Sequence, residues 1–253
     1  GHSGGEFLFS SQWAPADNAH GGGKVGAAIF IFGSIITCAL ALLISTPFSI
    51  ASAIFMTEIS PGIGRKILQP AVEIFVGIPS VVYGWIGLTI LVPFIKDLFD
   101  LKFGFSVLAA GIVLAVMIYP TITSLSADAI RSIPKSFRQA SYGLGATRWQ
   151  TISQVVIPAS KSGLMTAIVL GLARAFGEAL AVAMVIGKMK AFPESLLSPT
   201  TNLTAAIASD MGGAMEGSEY NIALWSMALL LFIISLVFIF IIHYISAKGG
   251  HKA

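Results

Sequence analysis

The chain reads as an all-α transmembrane protein, and three observations say so. Of its 253 residues, 55% are apolar and only 11% are Asp, Glu, Lys or Arg, where a soluble domain carries about 25% charged residues. The mean hydropathy is +0.85. Five apolar runs each reach the length, about 20 residues, that a helix needs to cross roughly 30 Å of hydrocarbon. This composition excludes a soluble α/β enzyme and a disordered tail. The single cysteine, Cys38, excludes a disulfide framework and reads as a small apolar filler. Barrel strands of about ten residues do not fit such runs. Lipid offers backbone N–H and C=O groups no partner, so each run should be helical.

The first run, Val25 to Thr57, holds no Asp, Glu, Lys or Arg. The second, Ile67 to Ile95, holds only Glu73, close to one end. That carboxylate reaches the interface or pairs with Arg65 or Lys66, a structural or loop-anchoring role. The third run, Phe103 to Ala127, is free of charge, and the fourth, Ser162 to Gly187, carries Arg174 and Glu178. The fifth, Tyr220 to Ala247, has His243 near its end, at the interface. Gly77-Ile78-Pro79-Ser80 divides the second run, and a break at Pro79 and Ser80 would make half-helices that line a cavity. For Pro47 and Pro120, a break and a simple kink are both open.

Basic residues set the orientation. Arg65 and Lys66 follow the first run. Arg131, Lys135, Arg138, Arg148 and Lys161 lie between the third and fourth, opposed only by Asp128, and Lys248 and Lys252 follow the fifth. All fall on one side, which is then cytoplasmic, with the C-terminus inside. The transmembrane domain spans 25–247, the tail 248–253 is cytoplasmic, and the Gly-rich segment 1–24 is extracytoplasmic. A further span ahead of residue 1 would carry that segment across, so six spans are expected of the native protein. The scattered basic residues do not form a nucleic-acid groove, and the scattered methionines form no soft-metal site.

The loop 128–161 is the one long cytoplasmic segment. Pro134 marks a turn, after which Phe137, Ala140, Ser141 and Leu144 recur at helical spacing. Gly143 and Gly145 break or cap that helix. A second amphipathic piece puts Trp149, Ile152, Val155 and Val156 on one side and ends at Pro158. The result is a compact knob. Read physically, it either meets a partner or lies on anionic lipid with Arg138 and Arg148 toward headgroups.

Here the spacing becomes specific. Gln139-Ala140-Ser141, then Gly145, then Val155, Ile157 and Pro158 resemble the Glu-Ala-Ala loop of ABC-importer permeases. Gln139 stands where that family has Glu, and Ser141 where it has Ala. The resemblance implies docking of this loop in a groove of a separate ATPase subunit, with Ala140, Ser141 and Gly145 permitting close approach. The chain has no Gly-x-x-x-x-Gly-Lys-Ser/Thr loop, so it is not that ATPase. Further stretches, Gly77 to Gly84, Gly145 to Gln150, Gly171 to Gly187 and Leu203 to Gly212, resemble the PstC type of permease from bacterial phosphate ABC importers. The sister PstA type shares some of them. The resemblance implies a type I ABC importer permease fold in the bacterial inner membrane, and a chain that is not itself an enzyme. It also implies a PstA-like sister subunit, a PstB-like ATPase dimer that binds the ATP and Mg, and a PstS-like extracytoplasmic phosphate-binding protein. No cofactor is expected in this chain, and membrane lipid surrounds it.

The charged pair in the fourth run then takes a meaning. An ionised group at mid-span costs about 2.5–3.5 kcal/mol on insertion scales. Arg174 is 12 residues from Ser162 and 13 from Gly187, about 18 Å from either end at 1.5 Å per residue, too far to snorkel. Glu178 is expected one turn on, on the same face, with Gly171 and Gly177 leaving room beside the pair. One reading is a structural ion pair between helices. The other is a site on the anion pathway: Arg supplies a planar fork for two oxygens, and the carboxylate accepts the O–H that phosphate has and sulfate lacks. A permease for sulfate or molybdate, and an ion-coupled secondary transporter using the pair as a proton relay, are the alternatives. An intramembrane enzyme is poorly served, because the runs hold no paired Asp, no Ser–His set and no metal cluster. The outer segment from Lys188 to Glu219, with Asn202, Leu203 and Thr204 to Ala208, is expected to form a short helix where the binding protein docks.

Overall fold

A computed structural model describes residues 8, 28–101, 104–178, 180–187, 199, 203–213 and 219–250. Of the expected segments, 1–24 apart from residue 8, the end of the tail (251–253), Asn202 and most of 188–202 lie outside the described residues. Among the described residues the longer elements are helices: α1 (Ala28–Ile54), α2 (Gln69–Val76), α3 (Ser80–Ile86), α4 (Val92–Leu98), α5 (Val107–Arg131), α6 (Lys135–Gly143), α7 (Arg148–Thr151), α8 (Lys161–Gly177), α9 (Leu180–Val185), α10 (Leu203–Asp210) and α11 (Glu219–Gly250). Phe30–Ile59, Ser80–Leu98, Val107–Arg131 and Asn221–Ile245 are each long and apolar enough to cross a membrane, and a bent pair, Arg148–Ala159 with Lys161–Gly177 at 69°, makes up to five. The short helix expected after Asn202 is α10.

Prolines shape these helices in two ways. Pro47 and Pro120 sit inside α1 and α5, which continue through them, so neither makes a break. Four others each follow a π-helical turn: Phe55–Ile59 before Pro61, Gly64–Leu68 before Pro70, Gly87–Leu91 before Pro93, and Ile152–Val156 before Pro158. The physical reason is the proline ring, which has no N–H and crowds the carbonyl four residues back. Widening the turn lets the residue before proline bond five residues back, as Val92 N–H does to Gly87 and Ile157 N–H to Ile152. Pro158 therefore lies within the helical path, which ends at Ala159 and not at the proline.

The second run breaks where Gly77-Ile78-Pro79 interrupts it. The Gly77 N–H closes on Glu73 and Ile74, and Pro79 is extended (ψ 142) and starts α3. The fourth run breaks too, which its hydropathy does not suggest. α8 stops at Gly177, and α9 begins at Leu180.

The chain forms two compact units. In the first (Gly1–Ala41, Pro79–Ala115, Arg174–Leu236), Phe30, Val107, Leu114, Ile186, Leu224 and Met227 are fully buried, and Cys38 fills a gap at 3% exposure. Within this unit α3 lies against α9. A β-carbon on Gly84 would stand 2.8 Å from the Ala181 Cα and 2.6 Å from the Met184 sulfur, and one on Gly87 would stand 3.0 Å from Val185. Small residues let these backbones meet, as in other membrane helix pairs. Both pairings advance in the same direction along the two helices, so α3 and α9 are parallel and start at the same level.

In the second unit (Leu42–Ile78, Val116–Ala173, Val237–Ala253), Ala53, Met56, Ala127, Ile130, Val156 and Leu164 form a buried cluster. Some buried hydroxyls find backbone acceptors: Ser49 donates across to the Tyr119 carbonyl of α5 at 3.4 Å, and Ser160 locally to the Val156 carbonyl at 2.8 Å. Gly171 packs under Ile122, whose side chain would be 2.6 Å from an added β-carbon. The room expected beside Gly171 is therefore filled. Gly177, by contrast, has nothing within 4 Å of an added β-carbon.

Candidate functional site

Two groups of residues emerge, one in each unit. In the first unit, Arg174 occupies the last turn of α8, half-buried, three residues before the helix ends. Glu178 does not continue the same helical face, as the run of apolar residues predicts. It sits in the break, and its Oε1 accepts the Ala181 N–H at 3.2 Å. A carboxylate there satisfies one of the N–H groups that the start of a helix leaves open, and it meets the positive end of the peptide dipoles. Pro79 and Ser80 open α3 at the level of this break. Tyr83, one turn into α3 and half-buried, lies within the field of the Arg174 guanidinium. Arg174, Glu178, Pro79, Ser80 and Tyr83 thus gather where two spans are interrupted. Tyr83 escaped the sequence reading because a phenol inside an apolar run looks like packing.

In the second unit, the knob folds as expected from its turn residues. Pro134 (ψ 142) starts α6, and α6 ends at Gly143. Gly145 takes φ +86, a backbone conformation open to glycine, while its N–H bonds Tyr142 and that of Ala146 bonds Ser141. Thr147 then caps α7 reciprocally. Its Oγ1 accepts the Gln150 N–H at 3.2 Å, and the Gln150 Oε1 accepts the Thr147 N–H at 2.9 Å. Ser141 and Thr151 hydroxyls, both buried, join the two helices at 2.8 Å.

One expectation for the knob changes. Ser141 faces Thr151 inside the knob, so it is not available for close approach by a partner. The second amphipathic piece divides: its Trp149 is exposed while Ile152 and Val156 are buried. Thr151 is buried with them, whereas Leu144 is 90% exposed and Trp149 67%. Phe137, Gln139, Ala140, Tyr142 and Gly145 are exposed as well, and Pro158 is exposed in the last turn. The exposed residues of the knob thus include four large apolar side chains, Phe137, Tyr142, Leu144 and Trp149.

Both knob arginines bond within the chain. Arg138 Nε donates to both carboxylate oxygens of Glu58, at 2.9 and 3.1 Å, and Arg148 Nη2 donates to the Ile59 carbonyl at 3.3 Å. Glu73, exposed, accepts from Gln69 Nε2 at 3.1 Å and not from Arg65 or Lys66; Gln69 also bonds Ser124 and accepts from Arg131.

Helices long and apolar enough to cross a membrane, four and up to five of them among the described residues, define a multi-pass membrane protein. The chain belongs to the family described as binding-protein-dependent transport system inner membrane component, whose model matches residues 45–249. Such a permease works with an ATPase and further subunits. It is 55% identical to the probable ABC transporter permease protein YqgH of Bacillus subtilis, over 96% of this chain and 78% of that protein. It is 36% identical to the phosphate transport system permease protein PstC of Haemophilus influenzae, over 92% of this chain and 78% of that one. In fold it resembles a chain of the inward-facing MetNI methionine ABC transporter, with a TM-score of 0.62 at 20% identity, covering 86% of this chain and 96% of that one. The fold is that of type I ABC importer permeases.

Proposed function

We propose that the chain is the PstC-like half of the pore in an ATP-driven importer of inorganic phosphate. The observation that supports this reading is the placement of Arg174 in the last turn before the helix break and of Glu178 within it, in a chain whose relatives include phosphate permeases. Arg174 offers a fork of donors to two phosphate oxygens. Glu178 accepts the phosphate O–H, and an anion without that proton leaves the carboxylate facing like charge. The knob side faces the cytoplasm with the C-terminus. There the outward face around Gln139, Ala140, Leu144 and Gly145 docks a PstB-like ATPase dimer, which binds ATP and Mg. A PstA-like subunit completes the pathway, and a PstS-like protein delivers phosphate from outside.

The test is ATP-driven uptake by the four-component complex in proteoliposomes. Arg174→Gln is expected to abolish phosphate uptake while the complex still co-purifies; uptake at the wild-type rate returns the pair to a structural role. Competing sulfate and molybdate, applied to wild type and to Glu178→Gln, read the proton-accepting role: unchanged discrimination in the variant removes it. Flux that needs an ion gradient and no ATP would favour a secondary transporter.

A further inference from the structure

The contacts beneath the knob single out one residue that no sequence motif marked. Glu58 lies in the π turn that closes the first span, in side-chain terms only 7% exposed, and Arg138 of α6 faces it at 19% exposure. The guanidinium uses all three of its nitrogens. Nε and Nη2 grip the Glu58 carboxylate, Nη1 donates to the Ile133 carbonyl at 2.9 Å, and Nη2 also donates to the Ile130 carbonyl at 3.1 Å. One side chain therefore ties three pieces together: the end of the first span, the end of α5, and the first helix of the knob. From the second helix of the knob, Arg148 holds the neighbouring Ile59 carbonyl. Both knob helices are thus fastened to consecutive residues of one span.

We propose that Glu58 and Arg138 are positioning residues that form the joint through which movement of the knob reaches the first span and α5. The proposal rests on the reading that the knob engages an ATPase. The knob is suited to move as a stiff piece, because the left-handed Gly145, the reciprocal cap at Thr147 and Gln150, and the Ser141–Thr151 bond fix its two helices to one another. A stiff piece delivers displacement only through its attachments. The Arg138 attachment is directional, since a planar fork holds a carboxylate at a set angle, and a lysine could not. It is also shielded from solvent, so salt screens it little. Its value is geometric: a buried ion pair is weak support for stability, and apolar residues of similar volume commonly hold as well. Load from the knob enters the first span at a turn already widened by Pro61, where the ladder of backbone bonds is least regular.

The experiment compares wild type, Glu58→Gln and Glu58→Asp in the complete complex, measuring ATP turnover and phosphate uptake together. Glu58→Gln removes the charge yet keeps the side chain's size. It is expected to leave ATP turnover within about twofold while uptake per ATP falls roughly tenfold, a coupling change of the size single residues on such a relay produce. Glu58→Asp keeps the carboxylate on a shorter arm and should fall between. If uptake per ATP is unchanged, or if turnover and uptake drop in proportion, the pair only supports folding and the joint is wrong. Should Glu58→Gln fail to assemble, Glu58→Asp is read by the same ratio. A second readout needs no transport: a spin label on Leu144→Cys in the lipid-embedded permease should gain mobility when Glu58 becomes Gln. Unchanged mobility overturns the joint even if the complex moves no phosphate, whereas a wild-type complex without ATP-driven uptake counts against the transport reading itself.

Discussion

At the residue scale, the sharpest constraints come from places where one atom too many has nowhere to go. Gly84 is such a place. Its missing side chain lets α3 rest on α9, with the Ala181 backbone 2.8 Å from where a β-carbon would stand. Backbone cannot yield as a flexible side chain does. Gly84→Val is therefore expected to lower stability by about 1–3 kcal/mol, the usual range for overpacking, with a matching fall in the melting temperature of the detergent-solubilised chain. A variant that melts like wild type would mean the two helices separate more easily than their contact suggests. Gly143 gives the contrast, because nothing lies within 4 Å of its added β-carbon.

At the element scale, the knob and the helix breaks teach different lessons about what a sequence discloses. The turn at Pro134, the glycines after α6 and the interruption at Gly77 to Pro79 were legible, because proline and glycine act locally. The break at Gly177 was not. No proline accompanies it, and hydropathy runs on through Leu180 to Val185, so an unbroken span was the natural expectation. Only the packing of α9 on Gly84 and the acceptance of the Ala181 N–H by Glu178 show why the chain turns there. Glu58 escaped for another reason: its partner is 80 residues away in sequence, and no spacing rule reaches that far. Which apolar residues of the knob face outward was not legible, because a helical period marks a stripe without saying what covers it. Leu144, 90% exposed, is the clearest case. Leu144→Asp should leave the permease as stable as before while weakening capture of the ATPase on the order of tenfold or more, given about 1.5–3 kcal/mol for burying one such side chain. Equal capture in a pull-down with purified ATPase would place the docking surface elsewhere.

At the scale of the whole molecule, burial is distributed unevenly among the spans. In α5 67% of the spanning window is buried, against 6% in Asn221–Ile245. The second leaves Trp225, Phe232 and Phe240 exposed. The all-helical class was readable from composition because lipid imposes it; which span is most buried was not, since all are apolar alike. This asymmetry predicts a fluorescence difference. In bilayers of brominated lipid, a chain retaining only Trp225 should be strongly quenched, and one retaining only Trp149 should keep most of its emission. Equal quenching would put the knob in the hydrocarbon.

The one native thiol is sealed within the packing of the first unit. Cys38 thus stays silent toward water-borne maleimides, and a cysteine introduced on the outward surface of the knob would react alone. The wild-type background already serves as a blank slate for dyes and spin probes, and the molecule can be interrogated while it works without altering a single core residue.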